Sequence, residues 1–243
     1  MPEARQHWPH LVIAFTVAVA LSLAWAAWTA ARNGLSDLYA RPAIDYLEQK
    51  RFDDYNVNAE EWLAIEASIA KATMLMPRNP QYLEALGLLH QLKLSLFASE
   101  LDIEDMDAHA KAARAYFDKA VDSRPTWPYY WGNLALEDYR RGNYADASFS
   151  VALANASYFG PWKNDTQRLV MDLGSETWEF LSPGAQREFI RNVERGLHRQ
   201  PQNTVRIVQD YGAWPKICDA SNELNDSTLP HLRAICTQDR FAE

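Results

Sequence analysis

The sequence contains side chains capable of catalysis, but they do not form any familiar catalytic pattern. A nucleophile needs a neighbouring base, and the chain has no Gly-x-Ser-x-Gly, Ser-x-x-Lys or Cys-His pattern. It also lacks a phosphate-binding glycine loop, a His-Glu-x-x-His motif and a dinucleotide fingerprint. None of the six histidines has another four residues away, the spacing of many helical zinc sites. We therefore predict a protein that is not an enzyme and uses no metal or other cofactor.

Two cysteines, Cys218 and Cys236, lie near the C-terminus, 18 residues apart. This spacing does not match a zinc site, and no Cys-x-x-Cys motif is present for thiol exchange. Two interpretations remain open: a pair of unrelated buried thiols, or one disulfide that closes the tail. The disulfide is favoured for an oxidising compartment, where it would stabilise the fold by roughly 2–4 kcal/mol.

An acidic run over residues 100–107 includes Glu104, Asp105 and Asp107. The carboxylates do not have the spacing of a calcium-binding loop. A solvated loop leading into a helix N-terminus explains the charges, because negative side chains are favourable there. The functional alternative is a docking patch for a basic partner.

Aromatic residues are concentrated between positions 127 and 162. Core packing accounts for most of them, but aromatic side chains near prolines also anchor partners or stack on sugar rings. We single out Trp127, Tyr129 and Tyr130 as candidate contacts with a partner protein or a glycan.

An apolar segment without charge, proline or glycine extends from Leu11 to Ala31. A helix of this length spans a hydrocarbon core of about 30 Å. The segment is longer than the apolar part of a signal peptide and lacks a clear cleavage site, so we predict a single uncleaved transmembrane helix. Flanking Lys and Arg favour a cytoplasmic large domain, whereas the cysteine pair favours the opposite side, and the orientation stays open at this point.

The composition predicts an all-α fold. The 243 residues include only nine glycines, 48% are hydrophobic and 23% are charged. The formal net charge is -8 and we find no basic stripe, which argues against a nucleic-acid partner. We divide the chain into a tail (1–10), a transmembrane helix (11–31), a juxtamembrane helix and linker (32–57) with Pro42 in its first helical turn, and a helical domain with a C-terminal capping segment (58–243).

Within the helical domain, small and apolar residues recur at the spacing of a TPR-like stack of helical hairpins. The first match is partial, and two fuller ones follow. One has Leu83, Leu86 and Gly87 on its first helix and Ala113, Phe117, Ala120 and Pro125 on its second. The other has Trp131, Leu134 and Ala135, a Gly142-Asn143 turn, then Ala147, Val151 and Ala154. Ala147 would lie in the tightest hairpin, so Ala147→Leu would overpack it. A non-repeating helical bundle is the alternative.

Four further helices are predicted towards the C-terminus. They cover Asp165 to Leu181, Pro183 to Arg199 with Ser182 as N-cap, Val205 to Tyr211, and Leu229 to Cys236. Residues 221–230 are predicted to form a loop. The tail would close the repeat stack as a terminal element.

Two motifs carry a family resemblance. One is the W-L-x5-I-x2-A-x4-P-x-N-P-x-Y-L-E-x-L-G pattern over Trp62 to Gly87, and the other is a pattern of Trp, Pro, Gly and Cys residues between Trp178 and Cys218. With the N-terminal anchor, the chain resembles the bitopic, TPR-like VpsP-type proteins encoded with bacterial exopolysaccharide biosynthesis and export genes. The resemblance implies an inner-membrane anchor with a periplasmic domain, and it supplies no catalytic residue.

Together these features lead to one functional expectation. We expect a non-catalytic, membrane-anchored scaffold or accessory subunit of a polysaccharide biosynthesis or export complex. Its partners would be integral membrane proteins of the envelope, with polysaccharide as a further ligand. The alternatives are an assembly factor for another envelope complex, such as one for cytochrome maturation, and a glycan-binding module.

Overall fold

A computed structural model describes residues 8–50, 59–224 and 227–237, and within these ranges the chain forms eleven α-helices, one 3-10 helix and no strand. The predicted all-α class is confirmed. The helices are α1 Trp8–Lys50, α2 Ala59–Leu75, α3 Pro80–Leu96, α4 Ile103–Ser123, α5 Pro128–Arg140, α6 Ala147–Phe159, α7 Asn164–Glu176, α8 Pro183–Arg199, α9 Pro201–Asp210, α10 Trp214–Leu224 and α11 Pro230–Cys236; the 3-10 helix is Trp178–Phe180.

The helices group into two compact units, Met1–Ala85 and Leu86–Glu243. Helix α3 contributes its first residues to one unit and the remainder to the other. The predicted boundary between linker and helical domain, at residues 57 and 58, lies inside the first unit and outside the described residues.

Helix α1 has different surroundings along its length. Its N-terminal half is apolar and uncovered, with Leu11 68% and Trp25 70% exposed. In the described part of the chain, α1 is the one helix long and apolar enough to cross a membrane. Further along, Ser36, Ala40 and Ala43 are buried at a spacing of three to four residues. That spacing produces a single buried stripe, which packs against α2.

The prediction that Pro42 begins a separate juxtamembrane helix is wrong, because Pro42 lies inside α1. Proline lacks an N–H and its ring crowds the carbonyl of the residue four positions earlier, which normally interrupts a helix. Here Ala40 and Ala43, on either side of the proline, are both completely buried. Packing of this stretch against α2 explains why the helix continues.

The first unit has a small aromatic core. The predicted apolar stripe of α2 is confirmed, since its buried residues are Trp62, Ile65, Ile69 and Ala72. The rings of Tyr46 and Trp62 meet edge to face, with centroids 6.3 Å apart. The hydroxyl of Tyr82 lies 3.1 Å from Ser36 Oγ and donates to the carboxylate of Asp37. These contacts hold α1, α2 and the start of α3 together.

In the second unit, three of the core positions predicted on α4 are buried. Ala113, Phe117 and Ala120 are completely buried on α4. A Cβ added to Gly87 would lie 2.5 Å from Phe117 Cε1, so only glycine fits against this ring. Gly87 on α3 and Phe117 on α4 are therefore in close contact, which the sequence did not specify.

The other repeat register is wrong on its second helix. Ala147 is exposed and Val151 is 52% exposed, whereas Phe149, Ala152 and Ala156 are completely buried. Helix α6 begins only at Ala147, after a turn that extends to Asp146. The residues of α6 that pack against α5 therefore come later in the helix than predicted. The predicted turn itself is confirmed, since Gly142 has φ +74° and the N–H of Asn143 donates to the carbonyl of Asp138 at 2.8 Å.

The C-terminal helices follow the predictions in part. Helix α8 has the predicted bounds, and the hydroxyl of Ser182 accepts from the N–H of Ala185. Helix α7 is shorter than predicted and is followed by the 3-10 helix. Helix α10 was not predicted, and it includes residues 221–224 of the predicted loop.

The C-terminal tail is held by two features. Cys218 and Cys236 form the predicted disulfide, with a Cα–Cα distance of 5.5 Å, which links α10 to the end of α11. The carboxylate of Glu194 on α8 accepts from the N–H groups of His231 and Leu232. Helix α11 has no side-chain cap of its own, so a buried glutamate from another helix satisfies its first turn.

Candidate functional site

The aromatic group chosen from the sequence does not form an open surface. Tyr130 is only 2% exposed, so the prediction that it contacts a partner or glycan is wrong. Its position on the inner face of α5 explains the burial. Trp127 and Tyr129 are half-buried, with ring centroids 5.7 Å apart, and the guanidinium of Arg124 lies 4.0 Å from the Trp127 centroid. The Trp127 ring also lies 6.4 Å from the ring of Tyr130, so it packs among Tyr129, Tyr130 and Arg124.

The acidic candidates lie at the start of α4. Glu104 and Asp105 are exposed in its first turn, and the carboxylate of Asp102 caps the helix by accepting from the N–H of Asp105 at 2.8 Å. Asp107 forms an ion pair of 2.5 Å with Lys111. The arrangement is that of a stabilised helix N-terminus. Among the described residues, no group of three or more His, Cys, Asp or Glu side chains is placed to hold a metal ion.

A more open feature lies where α5 and α7 end. There the second unit contains a cleft of about 370 Å³. We call it the aromatic cleft, and its lining residues are Tyr139, Arg140, Gly142, Tyr144, Glu176, Thr177 and Phe180. Tyr139 and Tyr144 belonged to the broad aromatic region recognised in the sequence, whereas Glu176 and Phe180 come from a later part of the chain.

Three rings form the apolar wall of the aromatic cleft. Tyr144 and Phe180 meet edge to face with centroids 4.9 Å apart, and Tyr139 lies 6.2 Å from Tyr144. Phe180 is 50% exposed. The 3-10 helix determines this placement, because it turns Trp178 into the core and Phe180 towards the cleft. Phe180 is therefore the exposed member of the wall, and Tyr139 and Tyr144 beside it are half-buried.

The polar side of the cleft combines a carboxylate, a phenol and a guanidinium. A hydrogen bond from Tyr139 to Glu176 is the main cause that raises the pKa of Tyr139 to about 12, with burial contributing next. Burial also raises the pKa of nearby Tyr211, with Asp172 and Glu176 adding to the shift. Both phenols are protonated at neutral pH, and the hydroxyl of Tyr139 is directed to Glu176.

The described charges around the cleft are balanced. Asp172 pairs with Arg168 at 3.7 Å, and Asp210 pairs with Arg206 at 3.6 Å. Glu176 and Arg140, which line the cleft, are opposite in sign. The site has carboxylate and guanidinium groups without a clear excess of either charge.

Asp138 fixes the end of α5 on which the cleft depends. Its side chain is completely buried and accepts from Arg114 Nε on α4 at 2.5 Å. It also accepts from the hydroxyl of Ser148 on α6 at 3.1 Å. Three helices are joined at this carboxylate, immediately before Tyr139. Sequence reasoning missed Asp138 because its partners lie 24 and 10 residues away.

A second surface follows α8. Four arginines recur every fourth residue, Arg187, Arg191, Arg195 and Arg199. Residues at this spacing follow one row along a helix, rising about 6 Å at each step. We call this feature the arginine row. This row was not recognised in the sequence, because the intervening residues separate the arginines in a linear reading.

One carboxylate lies within the arginine row. Glu188 accepts from Arg195 at 2.8 Å and lies 3.7 Å from Arg191. At the C-terminal end, Arg199 donates to the carbonyl of Trp162 at 2.8 Å, and the Trp162 side chain is 61% exposed. Arg187 and Arg199 are exposed, as is more than half of Arg191. The row is positively charged in a chain whose formal net charge is -8.

A histidine pair also appears in the second unit. His90 Nδ1 and His109 Nδ1 are 2.8 Å apart, and the ring of His90 stacks on Tyr116 with centroids 5.6 Å apart. The sequence did not reveal this pair because the residues belong to α3 and α4. The contact joins those helices.

Comparisons of the chain with protein-family models, curated proteins and solved structures found no match.

Proposed function

We propose that this protein is a membrane-anchored, non-catalytic accessory subunit of a polysaccharide biosynthesis or export complex. The observation that carries the proposal is the construction of α1. Its uncovered apolar half, which includes Leu11 and Trp25, continues into the buried stripe of Ser36, Ala40 and Ala43 without a break in the helix. A single helix thus serves both as an anchor and as part of a folded unit.

This construction has a mechanical consequence. A flexible linker would let the first unit move freely near the membrane, whereas a continuous helix restricts its distance and orientation. Confinement at the membrane raises the effective concentration of the protein for membrane-bound partners. This construction suits a subunit that stays close to membrane-bound partners.

The arginine row is the surface that we assign to a partner protein. Its charge suits an acidic segment, because guanidinium groups pair with carboxylates in a bidentate manner. A helix with Asp or Glu at every fourth position has the same rise of about 6 Å between charges. Exposed Trp162 at one end supplies an aromatic anchor of the kind that contributes strongly to protein interfaces.

The pathway and location rest on separate support. The motifs over Trp62 to Gly87 and near Trp178 resemble those of polysaccharide-associated bitopic proteins. The disulfide between Cys218 and Cys236 favours an oxidising compartment, in agreement with a periplasmic domain and an inner-membrane anchor.

The test is purification of the tagged full-length protein from native membranes in mild detergent, followed by quantitative mass spectrometry. We expect stoichiometric recovery of a polysaccharide polymerase, transporter or ligase. Arg187→Glu together with Arg191→Glu should abolish this recovery. Lys111→Glu together with Lys119→Glu, both exposed on α4, changes the net charge equally outside the row and should preserve it.

Other results would contradict the proposal in distinct ways. Recovery of a different envelope complex would keep the scaffold role and reject the pathway. Recovery of the protein alone would reject the scaffold role. Equal loss of partners from both double variants would show that net charge, rather than the arginine row, controls association.

A further inference from the structure

We infer that the aromatic cleft binds a neutral sugar residue of a polysaccharide chain. This inference rests on the proposed function, because it identifies the polymer as a direct ligand of the accessory subunit. It concerns a surface separate from the arginine row, so the two can be tested independently.

The aromatic wall supplies the first part of the argument. Phe180 is 50% exposed, and its ring contacts Tyr144 at a centroid distance of 4.9 Å. Exposed aromatic surface is costly to leave in water, and grouped rings in a concave site are typical of ligand binding. A sugar ring has apolar C–H faces that can cover such rings, while its hydroxyl groups stay at the edge.

The polar side of the cleft supplies the second part. Sugar hydroxyls both donate and accept hydrogen bonds, so they need partners of both kinds. Glu176 is an acceptor and Arg140 is a donor, and both line the cleft. Binding sites for small molecules commonly combine apolar walls with a few such polar groups.

The charge balance suits a neutral ligand. An anionic sugar would meet Glu176 as well as Arg140, and a quaternary ammonium group would meet Arg140 as well as Glu176, so the lining favours neither charge. Cages for quaternary ammonium groups rely on aromatic faces around the cation. Here Tyr144 and Phe180 are engaged edge to face, which leaves a wall rather than an enclosing cage.

The experiment uses full-length protein in a polyoxyethylene detergent, because the sugar headgroup of a maltoside would compete for the cleft. Isothermal titration with neutral gluco-, manno- and galacto-oligosaccharides should give saturable binding for at least one of them. Tyr144→Ala, Phe180→Ala and Glu176→Gln should each weaken that binding roughly tenfold or more. Tyr158→Ala, which removes a 66% exposed aromatic residue outside the cleft lining, should leave it unchanged.

Several results would overturn the inference. These are saturation by none of the neutral oligosaccharides, tighter binding of polygalacturonate or choline, and unchanged affinity in all three cleft variants. Circular dichroism and melting curves would establish that each variant is folded. Failure of sugar binding with partners still recovered from membranes would reject this inference alone, whereas sugar binding without partners would reject only the scaffold role.

Discussion

The two ends of the α5–α6 hairpin differ sharply in packing. At the end away from the turn, a Cβ added to Gly160 would lie 2.7 Å from Pro128 Cβ, and Tyr130 is 2% exposed. At the turn, Gly142 has φ +74° with no atom near its absent Cβ, and half-exposed Tyr144 lines the aromatic cleft. One end is closed by the approach of Gly160 to Pro128, and the other is open.

This difference shows that aromatic residues close in sequence can have opposite roles. Helix α5 carries Tyr130 near its start and Tyr139 near its end, with the same residue type and helical environment. Because different helices pack around the two ends of α5, Tyr130 lies in the core and Tyr139 borders the cleft. Assigning ligand contacts therefore requires knowing which end of the hairpin is covered.

The largest expected effect tests the closed end. Tyr130→Ala should lower the free energy of unfolding by about 3–5 kcal/mol, because it leaves a cavity at a buried aromatic site. In thermal denaturation, each kcal/mol corresponds to roughly 2–4 °C in Tm for a protein of this size. Tyr144→Ala at the open end should cost about 1 kcal/mol, mainly through its contact with Phe180. Equal losses of unfolding free energy in the two variants would show that the two ends of the hairpin are packed alike.

The next effect tests the packing face of α6. Ala152 is completely buried, so Ala152→Leu should overpack the hairpin and cost roughly 1–3 kcal/mol. Ala147 is exposed beside the turn, and Ala147→Leu should change stability by no more than about 0.5 kcal/mol. Urea denaturation of both variants measures the difference. A larger loss for Ala147→Leu would restore the repeat register predicted from the sequence.

A smaller effect is expected where the hairpin is closed by glycine. In Gly160→Ala the new methyl group would meet Pro128 and the carbonyl oxygen of Ala156, at a cost of about 1 kcal/mol. Gly184→Ala is the matched control, since its nearest neighbour is the far end of Arg187 at 3.9 Å. The control should be neutral or slightly stabilising. Indistinguishable melting temperatures for the two variants would show that the closed end tolerates extra volume.

The smallest effect is a change in the pH dependence of folding stability. It arises at Glu137, which lies between the two ends of α5. Its carboxylate is buried, accepts from Gln91 Nε2 at 2.7 Å, and has a pKa raised from 4.5 chiefly by burial. The folded state therefore binds the proton more tightly than the unfolded state, so stability falls as pH rises from 4.5 through the raised pKa.

Glu137→Gln removes that titration and keeps an oxygen that can accept from Gln91. The variant should gain stability relative to the parent as pH rises through this window. Melting temperatures between pH 4 and 8, measured in parallel for both proteins, provide the test. A constant difference across the range would mean that Glu137 does not cause the pH dependence.

Local patterns in the sequence predicted much of the fold. The α2 stripe, the Gly142 turn, the bounds of α8 and the buried positions on α4 all follow from periodicity or capping. Pro42 and Ala147 were misassigned for a different reason. The environment of Pro42 depends on the helix that covers it, and that of Ala147 depends on where α6 begins after the turn. The spacing of residues in the sequence gives neither kind of information.

The candidate surfaces were less accessible to sequence reasoning. The aromatic cleft joins Tyr144 to Phe180, 36 positions later, and only the packing of α5 and α7 brings them together. The arginine row was visible in principle, since a search at four-residue spacing would have found it. Exposure of Arg187 and the pairing of Glu188 within the row required the structure.

The most direct test of the central claim is photo-crosslinking in native membranes. A photoreactive amino acid at position 187, in the arginine row, is compared with one at position 206, on a different helix. We predict that position 187 crosslinks to an acidic segment of a membrane protein of the polysaccharide machinery and that position 206 does not. Crosslinking at 187 to no protein, or to the same proteins as 206, would contradict the account.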